Sequence, residues 1–205
     1  MITSKMTPVD PCVRRIVEGS LAVNPHAGLP ANDCEREPNL TVVGRAAWGS
    51  RMSTRPRRIV VGMDFSPAAE SARRLALGIA LASDALVDVV HVFDAFTETF
   101  LRNNIDALDN PERLLGEIDQ ALLRRERMAL AQGVRCVHHG LVGAPGAELA
   151  RHAAITETDL IVLGDAGEEP GRFGWTWGRL AAEQIRHNTR WRGLVLLRPT
   201  PGTGR

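Results

Sequence analysis

From Arg57 onward the chain alternates short β-branched runs with segments of helical period, and this alternation restricts the fold more than any other feature. Residues 58–63, RIVVGM, form an apolar run of strand length, of the kind buried on both faces. Ser66-Pro67 then reads as an N-cap with proline at the first helical position. Ala72, Leu75, Ala76 and Ile79 follow at i, i+3, i+4 and i+7, an apolar face for a first helix. Residues 86–93, LVDVVHVF, are the second strand. Residues 97–131 read as largely helical, with Leu115, Ile118, Leu122 and Ala129 on one face and a break at Asn110-Pro111. Residues 134–141 are a weaker third strand, and a helix over about 146–155 buries Leu149, Ala150 and Ala153. Residues 159–164, DLIVLG, are the fourth and clearest strand; a helix over about 179–187 and a strand over 193–198 complete the pattern.

Such alternation builds βαβ units with right-handed crossovers, hence an α/β fold with an open, parallel, five-stranded sheet covered by helices on both faces. Ligands of such sheets bind beyond the carboxyl ends of the strands, where the strand order reverses. Four windows meet that condition: residues 64–66, 92–94, 143–146 and 164–178.

Outside this pattern the chain is different. Residues 1–55 hold five prolines (8, 11, 25, 30 and 38) and no sustained period, so they are expected to be irregular or disordered, with Met52 a candidate true start. The folded domain is expected over 56–199, with 200–205 a tail. A 44% hydrophobic content suffices for a core, and a net charge of +1 gives no global field that would favour nucleic acid. No apolar run approaches the roughly 20 residues of a membrane span, and the first residues lack the apolar stretch of a signal peptide. Three cysteines, at 12, 34 and 136, make neither a disulfide framework nor a CxxC pair. A cytoplasmic protein is therefore expected. The 24 arginines against Lys5 alone point to GC-rich codon usage and a bacterial source.

The loop after the fourth strand, GDAGEEPGRFGWTWG, carries Gly164, Gly167, Gly171, Gly174 and Gly178 in 15 residues. Bare N–H groups and a helix start at Gly178 suit an anion, although neither GK[ST] nor GxGxxG occurs. A flexible surface loop is the alternative. Taken together, VVGMDFSP, the GAPGAEL turn at 143–149, and DLIVLG with its glycine loop, LAAEQIRHN and GLVLLRP resemble the universal stress protein family over about residues 56–199. The resemblance implies a Rossmann-like, adenine nucleotide alpha hydrolase-like sheet in strand order 3-2-1-4-5. It also implies a stress-response role and a homodimer paired through the last strand, 193–198.

The nucleotide-binding branch of that family carries Gly-x2-Gly-x9-Gly-[Ser/Thr] here. By similarity, Asp64 and Val92 would contact adenine or ribose, and Leu163, Gly164, Gly167 and Gly178 would line the phosphates of ATP or AMP. This chain has ten residues, not nine, between Gly167 and Gly178, and Arg179 fills the hydroxyl slot. Asp165, Glu168 and Glu169 place carboxylates where phosphates would lie, while Arg172 and Arg179 could offset them or pair with them. The leading reading is a non-catalytic binding and signalling homodimer with a degenerate nucleotide loop. The alternative is an ATP- or AMP-binding member with slow nucleotide hydrolysis.

No GxSxG elbow or HExxH motif marks a catalytic centre, and no catalytic residue is assigned. Cys136 and His138 share one strand face with His139 beside them, but structural side chains are the expected reading and no metal site is assigned. His91, His152 and His187 read as solvated or core histidines. Trp175, Trp177 and Trp191 would suit an adenine stack, a partner surface or a lid packed on its own domain.

Overall fold

The computed structural model describes residues 41–43, 55–93, 111–165, 177–187, 191 and 193–199. In chain order the elements are β1 (Thr41–Val43), β2 (Arg58–Gly62), α1 (Pro67–Ser83), β3 (Leu86–Phe93), α2 (Pro111–Ala131), β4 (Cys136–Val142), α3 (Pro145–Ile155), β5 (Leu160–Asp165), α4 (Trp177–His187) and β6 (Leu194–Pro199). They form one six-stranded sheet in the order β1-β6-β5-β2-β3-β4. The five strands from β2 to β6 are all parallel and follow the expected order 3-2-1-4-5.

The inner strands β2, β3 and β5 are largely apolar because both faces are covered. Side chains leave a strand on alternate sides, so neighbours in sequence enter different layers. Ile59, Val61 and Met63 pack with α1 and α2 residues such as Ala72, Ile79 and Leu122. Val60, Val90 and Ile161 pack instead with Leu149 and Ala153 of α3 and Ala181 and Ile185 of α4. Each large side chain buried this way contributes about 1.5–3 kcal/mol. The two outer helices approach closely at Gly146, where an added Cβ would meet the Ala181 carbonyl at 2.6 Å. The Gly146 N–H donates to Oε1 of Gln184 at 2.9 Å, which fixes that approach.

One feature agrees with the sequence reading and one departs from it. The long helix begins at Pro111, the position where a break was expected; residues 94–110 lie outside the described residues. The N-terminal extension, expected to be irregular, contributes β1, which lies antiparallel on β6 with Thr41 opposite Leu197, Val42 opposite Leu196 and Val43 opposite Val195. Three residues are too few to show a period, so sequence pattern carries no signal for such a strand.

The start of α1 is as expected. Ser66 has extended backbone, its Oγ accepts from the Ala69 N–H at 3.1 Å, and Pro67 occupies the first turn. Ser66→Ala should cost about 1 kcal/mol in urea denaturation, whereas Ser66→Gly should cost only a few tenths. Equal stability of Ser66→Ala and wild type would show that the cap does not hold α1.

Candidate functional site

The carboxyl ends of β2, β3 and β5 meet at one edge of the sheet. Beyond β2 the chain turns sharply. The Met63 N–H donates to the Val90 carbonyl at 2.8 Å, and Asp64 accepts the Ser66 N–H on Oδ1 at 2.9 Å. Between them Phe65 adopts φ 61°, a left-handed conformation that costs an L-residue roughly 1–2 kcal/mol. Its ring is held on two sides. The His91 ring lies 5.1 Å away, and the Arg125 guanidinium from α2 sits 5.0 Å from its centroid. His91 in turn donates from Nδ1 to the Met63 carbonyl at 2.7 Å and meets Phe93 edge-on at 4.6 Å. His91 is thus a core histidine of the edge.

Gly164, inside β5, and Gly178, in the first turn of α4, have a steric reason. An added Cβ at Gly178 would fall on the Gly164 carbonyl, and one at Gly164 would fall on the backbone of Ala68 and Ala69. The end of β5 therefore touches the first turns of both α1 and α4. Two helix N-termini, each the positive end of a macrodipole, are brought to the edge. This is the arrangement that binds anions when N–H groups remain free.

Of the residues expected to bind, Asp64, Val92, Leu163, Gly164 and Gly178 all lie at this edge, with Val92 and Leu163 buried. Gly167 lies outside the described residues, as do Glu168, Glu169, Arg172 and Trp175. The backbone of Arg179 belongs to the first turn of α4. Asp165 is buried at the end of β5, opposite Pro199 of β6. At the neighbouring window, the Gly143 N–H donates to the Phe93 carbonyl at 2.9 Å with φ 141°, a conformation that favours glycine.

A second polar cluster lies away from that edge, and sequence reasoning passed over it. Asp88, in the middle of an apolar strand, is fully buried. Arg58 holds both its oxygens, Nε at 2.8 Å from Oδ2 and Nη2 at 3.3 Å from Oδ1. His152 Nε2 from α3 lies 3.2 Å from Oδ2, and His139 Nε2 from β4 lies 3.6 Å from Oδ1. Burial by itself would raise the Asp88 carboxyl, but His139, His152 and Arg58 outweigh it and hold it well below the usual carboxylate range. The legible signal was an aspartate inside a β-branched run, because a buried charge must find partners.

Cys136 and His138 do share the opposite face of β4. His138 Nδ1 contacts Glu126 and its Nε2 lies 3.2 Å from Asp119, both on α2. Glu126 foremost, with Asp119, raises the His138 pKa against a smaller effect of burial. Burial, with Glu126 adding to it, pushes the Cys136 thiol up to about 12. A thiol that stays protonated is a poor nucleophile and a poor metal ligand. Iodoacetamide at pH 8 should therefore leave Cys136 unmodified in native protein and alkylate it in denaturant, as read by peptide mass spectrometry. Rapid native alkylation would refute this environment.

Comparison with known proteins extends these observations. The family model described as Universal stress protein family matches residues 56–187. Among solved structures, the hypothetical protein MJ0577 is similar at TM-score 0.56 and 18% identity, over 72% of this chain and 98% of that one. The universal stress protein UspA from Lactobacillus plantarum is similar at TM-score 0.53 and 20% identity, over 71% and 99%. No curated protein matches the chain.

Proposed function

The chain belongs to the universal stress protein family, and on that premise we propose that it is a non-catalytic binding and signalling module with a degenerate nucleotide loop. The observation that carries this reading is the closure of Gly178 on Gly164. It brings the two ends of a phosphate loop together, yet the residue after Gly178 is Arg179, not Ser or Thr. One extra residue also separates Gly167 from Gly178. At the described part of the edge, Asp64 Oδ1 accepts the Ser66 N–H and His91 Nδ1 donates to the Met63 carbonyl, so both side chains brace the turn.

The second reading, an ATP- or AMP-binding module with slow hydrolysis, is favoured by the two helix N-termini at the edge. Titration calorimetry separates the two. Wild type should bind ATP and AMP with a Kd weaker than about 10 μM, roughly −7 kcal/mol. Arg179→Ser with one residue deleted between Glu168 and Trp177 should then bind more tightly. Tight wild-type binding, weakened by more than 1 kcal/mol in Arg179→Ser, would overturn the degenerate-loop reading and make Arg179 the phosphate clamp.

Assembly forms part of the same proposal. A homodimer through residues 193–198 needs the edge of β6, where β1 pairs with Val195, Leu196 and Leu197. An unpaired apolar edge is an association site, and a two-fold copy can satisfy it. Light scattering at micromolar concentration should give twice the chain mass for protein trimmed to begin at Met52. The full chain, with β1 in place, should give a smaller apparent mass. A trimmed protein that stays monomeric would place any interface elsewhere.

A further inference from the structure

We propose that Asp88, His139 and His152 form a binding site for one divalent transition-metal ion of the zinc class. The three donors stand on three different elements, β3, β4 and α3, and their ligand atoms all lie within 4.8 Å of one another. A tetrahedral ion with bonds of about 2.0–2.1 Å places its donors roughly 3.3–3.4 Å apart. His152 Nε2 lies 3.2 Å from Asp88 Oδ2 and His139 Nε2 lies 3.6 Å from Oδ1, so each histidine stands near that length from one of the two carboxylate oxygens. Two imidazoles and one carboxylate are a donor set that zinc accepts, with a fourth position left for water. The His139 side chain is 30% exposed, which gives the ion a route from solvent.

An independent observation points the same way. His139 Nε2 is buried, and Asp88 Oδ1, at 3.6 Å, lies just beyond hydrogen-bond distance of it. A buried polar atom left unsatisfied is costly, and such atoms call for an explanation. A metal bond would satisfy this one without moving the backbone. Arg58 does not block the site, because a carboxylate offers about four lone-pair positions and the guanidinium takes two. Its charge does oppose a cation. In the empty site Arg58 therefore balances the buried aspartate, and in the filled site it limits affinity. The ion would join edge strand β4 to α3, on the sheet face opposite Cys136 and His138.

Purified full-length protein, stripped with a chelator, is titrated with cobalt(II) and followed by visible absorption, then back-titrated with zinc. One equivalent should bind with the intense visible bands of a four-coordinate ion, and zinc should displace it. His139→Gln and His152→Gln should each weaken binding at least tenfold. Arg58→Gln should tighten binding several-fold, an effect that a purely structural ion pair would not produce. His138→Gln, on the other face, should leave it unchanged. Should a histidine variant fail to fold, the wild type still decides: zinc should shift the imidazole NMR signals of His139 and His152, assigned through bonds, and leave those of the other four histidines. No cobalt uptake at about 100 μM, binding lost only in His138→Gln, or binding weakened by Arg58→Gln would overturn the site.

Discussion

Everything in this domain follows from the need to cover both faces of a parallel sheet. A strand such as β2 sends Ile59 and Val61 one way and Val60 the other. Leaving either face bare would expose several large side chains, each worth about 1.5–3 kcal/mol when buried. The crossovers therefore divide between the faces: α1 and α2 roof one, α3 and α4 the other. The first turns of one helix from each layer, α1 and α4, consequently meet at the end of β5. The candidate nucleotide edge is a by-product of this double roof, and its glycines are set by backbone crowding before any ligand is considered.

That dependence explains what could be read from the chain. Buried parallel strands must be continuous apolar runs and their helices must have one apolar stripe, so RIVVGM, LVDVVHVF and DLIVLG were visible and the strand order followed from the family resemblance. The cap at Ser66 was visible because its chemistry is local. Pairing between distant segments is not local, and β1 shows the limit. Thr41–Val43 acquires its meaning from Val195 to Leu197, more than 150 residues away. The site was legible to a similar degree. Resemblance to the family singled out Asp64, Val92, Leu163, Gly164 and Gly178, which lie together at one edge, whereas the partners of Asp88 came from β2, β4 and α3. A single charged letter in a strand announces that partners exist and does not say which.

Charged groups inside the layers hold elements in register where apolar contact alone would allow sliding. Glu70 of α1 accepts from Arg73 at 2.6 Å and from Arg125 of α2 at 3.2 Å. Arg125 also covers the Phe65 ring, so the strained turn at the carboxyl edge is clamped by a helix from the same roof. Arg73 is almost wholly buried, and Glu70 sits below its ordinary pKa: burial opposes that shift, and Arg73 and then Arg125 overcome it. Removing one member of such a network leaves a desolvated charge, which is costlier than never having built it. Turn, edge and helix pair are therefore mechanically one unit.

The antiparallel strand at the sheet margin has a consequence in time. During synthesis β1 leaves the ribosome before any part of the parallel sheet, and β6 leaves after all the rest. Domains generally acquire structure as the nascent chain lengthens, and bare strand edges are what make the intermediates adhesive. Here the segment that occupies the final edge has been waiting since the start. The last strand to be made need never be displayed to neighbouring polysomal chains, because its partner is already tethered to the same molecule.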